Sequence, residues 1–216
     1  MAIAPLRTED LLPGEGIILR KNANAVIDVS EAGLSRFAFD DLLWLVGMRG
    51  KEAIGGRLYL TNYRIVFKAH RFNRLRGSYS IFLPSIEEVR DASVAVTRQA
   101  TVFTAMQHFT FVVWGIPQLI ETIDQCRAEF DDSYTAELAE LVLAEPWKGG
   151  DGLAAVLHYE TLNIALNAAR RGGSGFTEAA SAIADGIDHT FNPAQAAGAL
   201  QVIDLLLRAG RNPGDL

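Results

Sequence analysis

The chain has 216 residues and a net charge of −6, and 49% of its residues are hydrophobic. This length and composition predict two compact domains, or one domain with an appendage, and exclude a wholly disordered chain. No apolar run reaches the ~18 residues that a membrane-spanning helix needs, and the N-terminus lacks the pattern of a signal peptide. The single cysteine, Cys126, excludes an internal disulfide. We therefore expect a cytoplasmic protein that touches a membrane only peripherally.

Short β-strands are predicted before residue 50. Ile17–Arg20 and Val26–Ser30 are rich in β-branched residues and read as two strands, joined by a polar loop at Lys21–Asn24. Residues 37–48 form a short apolar run that fits either a buried strand or a helical segment. Residues 47–56 include four glycines and predict a flexible connection.

The segment from Gly56 to Phe67 reads Gly-Arg-Leu-Tyr-Leu-Thr-Asn-Tyr-Arg-Ile-Val-Phe and predicts a tight hairpin. Leu58 and Leu60 alternate with Tyr59, as they do on a strand that is buried on one face. Asn62 suits the turn, because asparagine tolerates a left-handed backbone and hydrogen-bonds locally. The β-rich residues after the turn form the returning strand.

Further strands and one helix follow the hairpin. The strands are predicted at Ser78–Leu83, Ile86–Asp91, Val94–Thr97, Thr101–Met106 and Phe109–Trp114. Gly115 and Pro117 then begin an amphipathic helix, in which Leu119, Ile123 and Phe130 recur at helical spacing. Roughly seven strands followed by one helix is the expected layout of the first part of the chain.

The hairpin, the Pro84-Ser85-Ile86 stop after a strand, and the last strand running into the helix resemble GRAM domains, which belong to the pleckstrin-homology (PH) superfold. The resemblance covers about residues 11–130. It implies an α+β fold in which a bent antiparallel β-barrel is capped by the helix. It also implies a module that binds membranes or protein partners, and it does not identify the ligand.

Every charged residue from Arg57 to Arg76 is basic, and one-signed charge over such a length is typical of an anion-facing surface. Alternation along the strand places Arg64 and Lys68 together on its outer face. We therefore predict an anionic-lipid site made of Arg64, Lys68, Arg71, Arg74 and Arg76. The alternative interpretation is a solvated hairpin whose barrel contacts only proteins.

No residue pattern predicts catalysis. The four histidines are scattered without metal-ligand spacing, and the glycine-rich segments lack the spacing of a phosphate-binding loop. Cys126 lies near the apolar stripe of the predicted helix and reads as a packed thiol. We expect a non-enzymatic protein with no catalytic residue, no metal and no cofactor, and with no nucleic-acid partner.

The C-terminal part is predicted to be all-helical and acidic. Residues 131–216 carry 5 basic against 12 acidic residues, and about four helices fit them, the first ending near Ala144 and the last beginning at Pro193. The predicted organisation is an N-terminal tail (1–10), a GRAM/PH-like domain (11–130) and a small α-helical bundle (131–216). The first functional hypothesis is an adaptor that binds anionic phospholipid headgroups. The second is a protein-interaction or homo-oligomerising protein that has no lipid ligand.

Overall fold

The computed structural model describes residues 5–28, 51–70, 78–105, 107–149 and 193–210. The strands are β1 (Ile17–Asp28), β2 (Lys51–Thr61), β3 (Arg64–Ala69), β4 (Ser78–Phe82), β5 (Ile86–Asp91), β6 (Gln99–Thr104) and β7 (His108–Val113). The helices are α1 (Ile116–Arg127), α2 (Asp132–Ala144), α3 (Pro146–Gly149) and α4 (Pro193–Arg208), and 3₁₀ turns lie at Thr8–Asp10 and Leu83–Ser85. Helix α4 begins at Pro193, where the sequence predicts the last helix to begin.

These strands form a seven-stranded antiparallel sheet in the order β4-β3-β2-β1-β7-β6-β5. The strand order and the helix that follows β7 are those of a PH-like α+β fold, which confirms this part of the prediction. The predicted bundle of four helices extends over residues 150–192, which lie outside the described part of the chain.

The strand β1 is continuous, so the predicted loop at Lys21–Asn24 is wrong. Ala23 pairs with Gly56 of β2 on one side and with Val113 of β7 on the other. Ala23 and Ala25 are buried, whereas Asn22 and Asn24 are exposed. The residues therefore do alternate as a strand requires, but alanine and asparagine alternate too weakly in hydrophobicity to predict it.

The glycines before the hairpin are also part of a strand. The flexible connection predicted at residues 47–56 is wrong from Lys51 onward, because β2 begins there and includes Gly55 and Gly56. A Cβ atom on Gly56 would lie 2.5 Å from a ring carbon of Phe67 and 2.5 Å from the Lys68 carbonyl oxygen. Glycine is required here because the β2 backbone and the Phe67 ring approach each other closely.

The hairpin itself is confirmed. Leu58 and Leu60 face the barrel interior, Tyr59 faces outward, and Leu60 pairs with Ile65 across the turn. Asn62 lies in the turn between β2 and β3, as predicted, but its backbone is not left-handed, because Ala95 is the non-glycine residue with positive φ among the described residues. The predicted strand at Val94–Thr97 is also wrong: these residues form a turn closed by an isolated bridge between Val94 and Thr97.

The barrel interior is filled from the sheet and plugged by α1. Phe67, Tyr79 and Phe111 are central to it, with ring centroids 5.5 to 6.4 Å apart. From α1, the buried side chains of Ile116, Leu119, Ile123 and Cys126 join this barrel core. This confirms the apolar stripe predicted for the helix, although the helix ends at Arg127 and Phe130 follows it.

A second layer covers the outer face of β4 and the turn between β2 and β3. Helices α2 and α4 pack on it and share one apolar cluster with the sheet, which we call the outer core: Leu12, Tyr63, Phe82, Leu138, Ala139, Val142, Val202, Leu205 and Leu206. Arg208 of α4 pairs with Glu87 of β5, while the body of α4 lies along β4. Helix α4 thus packs along the edge strand β4 and the 3₁₀ turn that follows it, where unpaired backbone groups would otherwise be exposed.

Candidate functional site

The turn of the hairpin is tied to the segment that precedes β1. The Asn62 side-chain oxygen accepts a hydrogen bond from Gly16 N at 2.7 Å, and its amide group donates to the Gly14 carbonyl at 3.2 Å. Thr61 Oγ1 accepts hydrogen bonds from Tyr63 N and Arg64 N, which tightens the turn. Asn62 therefore joins two parts of the chain through its side chain, and the backbone at this position is not left-handed.

Arg64, which the sequence places on an exposed surface, is buried. Its side chain is 1% exposed and its Nε lies 2.8 Å from Oε1 of Glu15, whose side chain is 0% exposed. The guanidinium also donates to three other oxygens, which belong to Ser80, Asp10 and Lys148. Arg64 lies on the outer face of β3, as alternation predicts, but its expected exposure is wrong, because the segment before β1 and helix α3 cover that face.

Glu15 is held as tightly as Arg64. Its carboxylate accepts hydrogen bonds from Leu12 N at 2.7 Å, from Thr61 Oγ1 at 2.8 Å, and from Nε and Nη2 of Arg64 at 2.8 and 2.9 Å. All the charge of this pair is thus satisfied internally. Arg64 is a structural residue in this fold, and its guanidinium is not free to bind an external phosphate.

Lys68 is placed between the buried pair and the solvent. Its side chain is 23% exposed, and its amine lies 3.2 Å from the Asp10 carboxylate. Burial alone would raise the pKa of Asp10, but a hydrogen bond from Arg7 N and the nearby Lys68 amine outweigh it, so the pKa lies below its ordinary value. Lys68 therefore reaches the surface with its charge already partly compensated.

The other three predicted site residues, Arg71, Arg74 and Arg76, lie outside the described residues. They belong to the connection between β3 and β4, and Lys68 pairs with Ser78 where this connection begins and ends. The predicted site is therefore divided. Arg64 belongs to the interior, Lys68 lies at its border, and the three remaining arginines stay a prediction.

A different surface, not anticipated from the sequence, lies at the turn between β5 and β6. Val94 and Val96 are 68% and 89% exposed there, and Trp114, which follows β7, is 75% exposed. Val113 N donates to the Arg98 carbonyl at 3.1 Å, so the end of β7 is joined to the end of this turn. In the sequence this surface appears as the run of Val94, Ala95 and Val96 between two strands, and the run by itself predicts a strand.

A cleft of about 600 Å³ opens among β5, α1, α2 and α4. Its two cations are already paired: Arg127 donates to Asp124 and to the Glu87 carbonyl, and Arg208 donates to the Glu87 carboxylate. Apolar walls are supplied by Leu83, Pro84, Ile86, Ala128 and Phe130. The cleft therefore offers two paired cations, an excess of carboxylates and a modest apolar surface, and it is not a preformed anion site.

The described residues also bear on metal binding, on the lone cysteine and on membrane-spanning helices. Among the described residues, no three His, Cys, Asp or Glu side chains are arranged to hold a metal ion. Burial, with a smaller contribution from Glu129, raises the pKa of the Cys126 thiol, which makes it a weak nucleophile. None of the helices in the described ranges is long and apolar enough to cross a bilayer.

Comparisons with known proteins add little to this geometry. The chain is similar to the C-terminal domain of an unknown protein from Leishmania infantum, with 14% identity and a TM-score of 0.38, over 54% of this chain and 88% of that one. It is also similar to the Vps36 N-terminal PH domain, with 14% identity and a TM-score of 0.35, over 55% of this chain and 83% of that one. No family model and no curated protein sequence matches the chain. The assignment to the PH-like fold rests on the strand order and the plugging helix described above.

Proposed function

We propose that this chain is a non-enzymatic binding module that is recruited to anionic membrane surfaces by the connection between β3 and β4. The observation that supports it is the composition of this connection, which contains Arg71, Arg74 and Arg76 and no acidic residue. Arginine presents a planar set of donors that matches phosphate oxygens. Lys68 adds a partly compensated charge at the base of the connection.

The proposed site is smaller than the one predicted from the sequence, because Arg64 is taken up by Glu15. Each basic residue close to an anionic membrane contributes about 1 kcal/mol. Three arginines that face the membrane together therefore give about a hundredfold gain in partitioning. This attraction is electrostatic and falls as salt shortens the Debye length from ~30 Å at 0.01 M to ~8 Å at 0.15 M.

Sedimentation with vesicles of phosphatidylcholine and phosphatidylserine tests the proposal. We expect the full chain to bind at low salt, and the variant R71A/R74A/R76A to bind about a hundredfold more weakly. The matched control is R7A/R20A/R90A, which removes the same charge from three other exposed positions and should bind nearly as well as the parent chain. Equal loss in both variants would mean that net charge alone drives binding, and unchanged binding by R71A/R74A/R76A would refute the proposed site.

The second candidate function is a protein-interaction module without a lipid ligand. The cleft among β5, α1, α2 and α4 favours it, because its apolar walls and paired charges suit a peptide better than a phosphate. If this function is correct, vesicles do not bind at any salt concentration. The variant P84D, which places a charge on the apolar wall of the cleft, should then abolish capture of the partner while leaving the fold intact.

A further inference from the structure

The turn between β5 and β6 holds two valines in solvent although its backbone is firmly fixed. Val94 and Thr97 exchange two backbone hydrogen bonds of 3.0 and 2.9 Å. At the base of the turn, the Asp91 side chain accepts a hydrogen bond from Ser93 N at 2.9 Å, and the Ser93 hydroxyl accepts one from Gln99 N at 3.2 Å. The exposure of Val94 and Val96 is therefore a property of an ordered turn.

Turn formation alone does not explain the residues of this turn, because their conformational preferences do not suit it. Ala95 has φ of 51°, a left-handed conformation that glycine and asparagine adopt with much less strain. Two-residue hairpin turns favour asparagine, aspartate and glycine, and none of these residues exposes an apolar side chain to water. Val-Ala-Val at an exposed tip is thus unfavourable for both turn geometry and solubility, and a contact that buries the tip would offset both.

Trp114 enlarges the same surface. Val113, the preceding residue, donates its backbone N–H to Arg98, which ends the turn. The Lys21 amine donates to the Trp114 carbonyl at 3.1 Å, so a cation lies directly beside the tryptophan. We call Val94, Val96 and Trp114, with Lys21 and Arg98 beside them, the apolar tip.

The charges around the apolar tip favour an anionic partner by a small margin. Arg98 is exposed, and the Lys21 amine is near the surface. Asp91 is the acidic residue at the base of the turn, and its carboxylate is occupied by Ser93. The other charged residues of β5 nearby, Glu88 and Arg90, pair with each other. Attraction to phosphate should therefore assist binding, while most of the affinity should come from apolar contact.

We propose that the apolar tip is a membrane-contacting surface that inserts Val94, Val96 and Trp114 into the interface of an anionic bilayer. A protruding hairpin tip suits a fluid bilayer better than a protein pocket, since the bilayer adapts to a convex surface. Tryptophan prefers the level of the lipid headgroups, and the adjacent Lys21 and Arg98 can reach phosphate groups from there. The composition matches that of interfacial anchors, which combine inserted apolar side chains with basic neighbours.

The apolar tip is separate from the basic connection. Strands β1, β3 and β6 run in the same direction, because each neighbouring pair in the order β3-β2-β1-β7-β6 is antiparallel. The basic connection follows the carboxyl end of β3, whereas the turn that carries the valines precedes the amino end of β6. The two surfaces are therefore carried by strands that are not neighbours in the sheet, and separate variants test each of them.

Fluorescence quenching by brominated lipid tests this surface directly. Vesicles of phosphatidylserine and dibrominated phosphatidylcholine should quench the fluorescence of the full chain, because Trp114 enters the interface. Quenching should persist in W147F, which removes another exposed tryptophan (60% exposed), and should largely disappear in W114F. The opposite pattern would overturn the proposal, since it would place Trp147 at the membrane.

A second pair of variants measures the contribution of the valines. V94S/V96S should partition at least about tenfold more weakly into the same vesicles, because each exposed valine loses most of its transfer free energy. Both residues are exposed, so folding should be unaffected, and circular dichroism checks this. Partitioning equal to that of the parent chain would overturn the proposal. So would self-association in solution that V94S/V96S abolishes in the absence of vesicle binding, because the partner would then be a second copy.

The same measurements separate this proposal from the function proposed above. If R71A/R74A/R76A binds as the parent chain does and Trp114 is still quenched, the basic connection is dispensable and the apolar tip is correct. If that variant binds more weakly but is still quenched in its bound fraction, both surfaces act. If it loses all quenching, the apolar tip has no affinity of its own and the proposal fails.

Discussion

Replacement of Glu15 by alanine should destabilise the protein severely, because it leaves the Arg64 charge buried without a counter-charge. The two side chains are 0% and 1% exposed, and the carboxylate accepts four hydrogen bonds of 2.7 to 2.9 Å. Removing one partner of a buried ion pair typically costs 3–5 kcal/mol, roughly. The guanidinium retains three neutral acceptors, so we expect a loss of about 3 kcal/mol, at the lower end of that range.

Urea unfolding followed by circular dichroism measures this loss. With a slope of about 2–3 kcal/mol/M for a chain of this size, the midpoint of E15A should fall by about 1–1.5 M. The control is E88A, which breaks the exposed pair between Glu88 and Arg90 and should leave the midpoint unchanged. The double variant E15L/R64M should recover most of the lost stability, because an apolar pair of similar size removes the stranded charge. A midpoint for E15A equal to that of E88A would refute this reasoning.

Three further changes test other parts of the structure. G56A should lower the free energy of unfolding by about 1–3 kcal/mol, because its Cβ would overlap the Phe67 ring. D204N should gain stability relative to the parent chain as pH rises from acid towards neutral, since burial raises the pKa of Asp204 despite the nearby Arg208. The folded state keeps the Asp204 proton to higher pH, and the stability due to that proton is lost as pH rises through the raised pKa. Cys126 should react with a disulfide reagent at least ~10-fold more slowly in the native protein than in urea, because it is buried and its pKa is raised.

Each of these results has a clear contrary outcome. If G56A and the parent chain unfold at the same midpoint, β2 and the Phe67 ring can move apart without any loss of stability. A loss of stability by D204N relative to the parent chain as pH rises would show a lowered pKa for Asp204. Since the chain has one cysteine, reaction of the native protein at the unfolded rate would place that thiol in solvent.

The parts of the fold that the sequence predicted are those with strong local contrast. Leu58 and Leu60 alternate with polar or aromatic neighbours, and the hairpin appeared where this alternation placed it. Helix α1 was recognisable because its apolar residues recur at the period of a helix that packs on one face. In both elements the local pattern and the long-range packing agree.

The predictions that were wrong concern residues whose contacts are far away in the chain. Alternation correctly placed Arg64 on the outer face of β3, but it could not show that this face is covered by Glu15, 49 residues earlier, and by α3, more than 80 residues later. Similarly, the role of Asn62 follows from the hydrogen bonds of its side chain with Gly14 and Gly16. Local conformational propensity predicts neither of these bonds. The apolar tip was missed because β-branched residues favour a strand wherever they occur, and only the pairing of β5 with β6 shows that they form a turn.

The packing of α4 on β4 sets an order of events during synthesis. Phe82 and Val202 lie in the same outer core, although 120 positions separate them in the sequence. Because chains emerge from the ribosome N-terminus first, all seven described strands are made while the apolar outer face of β4 still lacks its helix. Contacts of such high sequence separation also slow folding. The nascent chain therefore passes through a stage in which an edge strand and Phe82 are uncovered, and this stage, rather than the finished fold, is where the protein is most prone to aggregate.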